Sequence, residues 1–125
     1  MTKPEQRWRP ITYLPAFKFA VGSAAETAHE QAENMRLAVH RSGVINRIEL
    51  ARMRLVYEDT ARYAEMCGEQ LRRWRAECTT SEQAKLLDQL EVLVVQWAAD
   101  TRVVIDAVKT LLDEGTGKAR NPSAD

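Results

Sequence analysis

Between residues 81 and 112, apolar side chains recur at Leu87, Leu90, Val94, Trp97, Val104, Val108 and Leu111. Thr101 fills the one gap, so the steps alternate between three and four without a break. Only a helix returns a side chain to the same face at that interval, and a face sustained for this long is a seam against other helices. The β-branched runs around 92–95 and 103–105 favour strands locally, but a strand with period two scatters the seam over both of its faces. This one stretch therefore sets an all-α fold, and the rest of the chain must supply helices to cover it.

The chain supplies two. Residues 1–14 carry Pro4 and Pro10 with Trp8, Ile11, Tyr13 and Leu14 between charged groups, which predicts an extended aromatic arm whose rings need a groove. Pro15 suits the first turn of a helix, and helix 1 is predicted over about 15–41. Its stripe is Phe17, Val21, Ala24, Ala28, Ala32, Met35, Ala38 and Val39, with Ser42-Gly43 as the stop. Asn46 followed by Glu49 forms a capping box that opens helix 2, over about 46–77. Its second half carries the stripe Met53, Thr60, Ala64, Cys67, Leu71, Trp74 and Cys78. Val44, Ile48, Ala51 and Leu55 fall about 130° round the helix from it, so the helix bends near 53–57 or its halves face different partners. Thr79 with Glu82, or Thr80 with Gln83, caps helix 3, predicted over about 81–114 and closed by Gly115. Residues 115–125 have little to bury and are expected to be disordered.

Helices of this length, about 40–50 Å at 1.5 Å per residue and joined by short connections, predict an elongated antiparallel three-helix bundle spanning 15–114. One face stays unexplained. The outward positions of helix 3 are polar at both ends (Lys85, Asp88 and Gln89; Asp106, Lys109 and Thr110) but in the middle they are Val92, Val95, Gln96, Ala99, Arg102 and Val103, mostly apolar. A helix apolar on nearly all sides is buried on nearly all sides. The expected cover is a second copy of the chain, a homodimer, with Leu55 and Met66 of helix 2 extending the patch. The alternative cover is the chain's own aromatic arm.

Eighteen basic and 18 acidic residues leave a formal net charge of zero. That disfavours phosphate backbones and anionic membrane surfaces, so neither nucleic acid nor membrane is an expected partner. Two cysteines cannot make a disulfide scaffold, and the start lacks an apolar run long enough for a signal peptide. The expected address is the cytoplasm.

Candidate chemistry is sparse. Glu26 and His29 form a Glu-x-x-His on one helix face, with Glu30 and Glu33 nearby, and di-iron bundles use two such motifs plus two further carboxylates. The only other histidine, His40, has Leu37 where the second glutamate would stand. The stripe also sets Glu26 and His29 on the outer face, where solvation is the simpler role. Histidine phosphotransfer modules resemble this chain in size and helix content, but Lys-Gly follows their histidine. Here Glu30-Gln31 follows His29 and Arg41-Ser42 follows His40. Cys67 and Cys78 lie about 16 Å apart along one helix, out of disulfide reach. Arg7-Trp8-Arg9 and Arg73-Trp74-Arg75 pair tryptophan with guanidinium groups amid enough glutamate to form ion pairs. No catalytic residue and no cofactor is predicted. The functional expectation is a non-enzymatic interaction or structural module acting through self-association, with a metal- or cofactor-binding bundle around Glu26, His29, Glu30 and Glu33 as the alternative.

Overall fold

A computed structural model describes residues 8–41 and 43–120, with side chains described as far as Glu114. After a 3-10 turn at Ile11–Tyr13, three helices follow: α1 (Leu14–Ala38), α2 (Arg47–Glu77) and α3 (Ser81–Arg120). Among the described residues there is no strand. The local signals account for most of the boundaries. Pro15 sits in the first turn of α1. Beyond Ala38 the chain tightens, with the amides of His40 and Arg41 donating to the carbonyls of Leu37 and Ala38. Gly43 then adopts φ +87°, a conformation that only glycine enters without steric cost. Asn46 accepts the Glu49 amide at 2.8 Å to open α2. At α3 the capping box is complete: Thr80 Oγ1 accepts the Gln83 amide at 3.1 Å, while Gln83 Oε1 accepts the amides of Thr79 and Thr80. α1 stops at Ala38, short of the expected residue 41, and the far end of α3 also differs. α3 continues past Gly115 to Arg120. A glycine lowers helix stability by about 1 kcal/mol, too little to end a helix that is already propagating. Residues 121–125 of the expected tail lie outside the described residues.

α3 is the helix on which the others pack, and its close backbone contacts run to both α1 and α2. Every position of its seam is buried, from Leu87 to Leu111, and Thr101 is among them. Along α2 the partners descend as those on α3 ascend: Arg75 donates to Asp88 at 2.6 Å, the Tyr63 ring meets Trp97 edge-on at 5.9 Å, and Arg47 donates to the Leu112 carbonyl at 3.0 Å. The apolar interior falls into two clusters. One gathers Leu14, Val21, Ala25, Ala28, Ala64, Cys67, Leu71, Trp74, Leu87, Leu90, Val94 and Trp97. The other gathers Ala32, Met35, Ala38, Leu50, Val104, Ala107, Val108 and Leu111. Between them, at the level where α1 and α2 offer mostly alanine, α3 presents Asp100 and Thr101.

The first half of α2 packs with the same face as the second half. Its inner face continues unbroken as Leu50, Met53 and Tyr57, all packed with the second cluster. Val44, Ile48 and Leu55 of the off-stripe set are left exposed.

The arm is fastened by its backbone. The Arg9 amide donates to Gln70 Oε1 at 2.8 Å, and the Arg9 carbonyl accepts from Trp74 Nε1 at 2.7 Å and from Gln70 Nε2 at 3.3 Å. Gln70 and Trp74 are both buried, and these bonds satisfy their polar atoms. The Arg73 guanidinium lies 4.3 Å from the Trp8 ring centre, and Phe17 meets Trp74 edge-on at 5.0 Å. Trp8 and Arg9 are thus partners of Arg73 and Trp74. Residues 1–7 of the expected arm, with Pro4 and Arg7, lie outside the described residues.

Burial pushes the Cys67 thiol up from its ordinary 9.0 to about 11. The folded chain therefore holds this proton more tightly than the unfolded chain does. The resulting stability is complete below pH 9 and lost as the pH rises through about 11. Half-buried Tyr57, also raised by desolvation, acts in the same sense at higher pH. Urea midpoints should fall between pH 9 and 11, and Cys67→Ala should flatten that fall; an unaltered slope would refute the assignment. At pH 8 a thiol reagent should titrate Cys78 rapidly in the native protein and Cys67 only after denaturation, since thiolate is the reactive form.

Candidate interaction surface on the outer face of α3

The side of α3 opposite its buried seam carries a second 3-4 series: Lys85, Asp88, Val92, Val95, Ala99, Arg102, Asp106 and Lys109. All eight are exposed. At the centre, Val92 is 69% and Val95 65% exposed, and Ala99 lies beside them on the same face. Val103 is half-buried and packs with the second core cluster. Val95 also edges a shallow cleft of about 150 Å³ with Gly68, Arg72 and Arg75 of α2. No described residue of the N-terminal arm lines this cleft: Trp8 and Arg9 are held on the Gln70–Trp74 side of α2, and Ile11 and Thr12 border α3 only near Lys85, Leu86 and Gln89.

Two residues expected on this face are elsewhere. Met66 lines a cavity of about 380 Å³ with Trp8, Arg9, Tyr13, Phe17 and Tyr63, between α1 and α2. Leu55 is 68% exposed. Eleven residues at 100° each return almost to the starting azimuth, so Leu55 shares the Met66 side of α2 and not the Gly68–Arg72 side. Height along the bundle had placed both near Val95; azimuth separates them.

His29 is not simply solvated surface, as its distance from the α1 stripe had implied. It lies about 100° from Ala28, on the edge of α1 that borders α3. Its Nδ1 is 3.1 Å from Asp100 Oδ2. The carboxylate is 3% exposed and also accepts from Gln96 Nε2 at 2.9 Å. The Thr101 hydroxyl beside it is buried with no hydrogen-bond partner. A buried carboxylate is tolerated only with such donors, so this group is a polar bridge between α1 and α3. Glu26, Glu30 and Glu33 are exposed, and Glu33 accepts from Arg36 at 2.6 Å. Among the described residues, no three His, Cys, Asp or Glu side chains are grouped so as to hold a metal ion. His40 is exposed at the end of α1.

Periodicity had located the outer face of α3, but the His29–Asp100–Gln96 bridge and the Arg9 clasp were missed. No family model, curated protein or solved structure matches this chain. Among the described residues, no helix is long and apolar enough to cross a membrane. Chemically, the outer face of α3 offers an apolar centre between charged ends, an arrangement suited to another helix.

Proposed function

We propose that the protein is a non-enzymatic helical interaction or structural module acting through self-association, an elongated antiparallel three-helix bundle completed by a second copy on the outer face of α3. One observation carries this reading: Val92 and Val95 stand exposed in the middle of a helix whose opposite face is closed by α1 and α2. A substituted valine at a solvated helix surface gains nothing from its methyl groups and lowers helix propensity, whereas each buried valine contributes about 1.5–3 kcal/mol gross. The arm supports the same reading by being used elsewhere: its described part seats on the chain's own Gln70 and Trp74 and borders only the first turns of α3, leaving Val92 and Val95 uncovered.

The four valines of a pair of patches set a modest gross gain against the loss of free motion, so the dimer is expected to be concentration-dependent. Light scattering at 20 µM and 1 mM checks this. The mean mass should rise toward twice that of the chain, and Val95→Glu should hold it at the monomer while leaving the helical circular dichroism unchanged. A monomer at both concentrations, indifferent to the substitution, removes the proposal.

A further inference from the structure

We infer that the second copy docks with α3 running antiparallel to its counterpart and Val95 on the two-fold axis, a register written in the charges that flank the apolar centre. This inference rests on the self-association proposed above and adds its geometry.

The outer series carries charge on both sides of its apolar centre. On α1 and α2, Arg36 with Glu33, Arg54 with Glu58, Arg62 with Asp59, and Arg72 and Arg73 with Glu69 are paired within the chain. On α3, Lys85, Arg102 and Asp106 are exposed and make no ion pair within the chain among the described residues. Asp88 accepts from Arg75, yet its side chain remains 70% exposed and so has room for a second donor.

The charges of the outer series have one self-complementary arrangement. With two α3 helices antiparallel and Val95 opposite its own copy, Val92 falls opposite Ala99, Asp88 opposite Arg102, and Lys85 opposite Asp106. Lys109 then reaches the start of the neighbouring helix, at Ser81 and Glu82. Every apolar residue of the series meets an apolar one and every charge meets its opposite. The other registers fail on the same residues. Sliding the pair by one turn, so that Val95 faces Ala99, sets Asp88 against Asp106 and Lys85 against Lys109. A parallel in-register pair sets Lys85, Asp88, Arg102 and Asp106 each against itself, and like charges at facing positions repel. A two-fold contact of this kind is closed and yields a dimer and not a filament.

Sedimentation equilibrium at low salt tests the register with Asp88→Arg, Arg102→Asp and the double variant, each checked for native helical content. Arg102→Asp is the cleaner single change, since no ion pair within the chain is lost. In the inferred register each single variant faces like charge twice per dimer and should weaken association about tenfold, an effect that fades with added salt. The double variant restores both pairs and should return to within about threefold of the parent. A wild type that dimerises while all three variants match it overturns the antiparallel register but leaves self-association standing. A double variant as weak as the singles also overturns the register. A wild type that stays monomeric at 1 mM and ignores Val95→Glu removes self-association, and the register with it.

Discussion

Trp74→Ala should lower the unfolding free energy by about 3–5 kcal/mol, the usual cost of deleting a large aromatic from a packed interior. The indole is 0% exposed, carries the edge-on contact with Phe17, and donates to the Arg9 carbonyl. Its removal opens a cavity in the first core cluster and releases the arm at the same time. For a domain of ordinary stability, about 5–15 kcal/mol, that is roughly a fifth of the total or more, and the thermal midpoint should drop by about 10 °C or more. Trp74→Phe separates the two contributions. It keeps a ring in the core but loses the hydrogen bond and part of the indole's volume, so its cost should be smaller, about 1–3 kcal/mol, and the remaining tryptophan fluorescence should shift as the arm loosens. A midpoint for Trp74→Ala within 3 °C of the parent would contradict the central place given to this residue.

His29→Ala is expected to cost about 1–3 kcal/mol although the ring is more than half exposed, because the loss falls on its partner. Asp100 would keep Gln96 as its sole donor, and a buried carboxylate with unsatisfied lone pairs bears most of the desolvation cost. Replacing both residues resolves the matter. Asp100→Leu in the His29→Ala background removes the stranded charge and should recover most of the loss, or exceed the parent's stability, as buried ion pairs replaced by apolar groups often do. Urea titrations of the four proteins form the cycle. Purely additive costs would show that His29 and Asp100 do not interact.

These two residues also mark the limit of what the sequence made legible. The α3 seam was readable because eight positions repeat one spacing, and a repeat that long has a single structural solution. The capping residues were readable because their hydrogen bonds are local: Asn46 reaches Glu49 and Thr80 reaches Gln83. Helix 2 was read only in part. Leu50 and Tyr57 continue its seam toward the N-terminus, but the exposed Val44, Ile48 and Leu55 form a competing apolar series, and hydrophobicity alone does not say which series finds a partner. The polar bridge was hidden for a different reason. Asp100 interrupts an apolar run and so reads as a solvent-facing residue, while His29 lies off the stripe of its own helix. Each is explained only by the other, 71 residues away. The same holds for the Arg9 clasp, in which a backbone amide meets Gln70 across 61 residues. Long-range polar pairs leave no periodic trace. Finally, Leu55 and Met66 were assigned by height along a straight bundle, and height does not fix which side of α2 a residue occupies.

The band formed by Asp100, Thr101 and His29 between the two apolar clusters acts as an alignment mark. Leucine, valine and alanine on long helices tolerate sliding, since one turn along the seam exchanges one apolar contact for another. Asp100 does not tolerate it. Displaced by a turn relative to α1, its carboxylate would lie at the level of Ala25 or Ala32, lose His29 and keep only Gln96 of its own helix, and the slipped state would hold an underbonded buried charge. The polar band thus gives this otherwise slippery set of helices a single longitudinal setting. The position of Val95 on the outer surface follows from that setting.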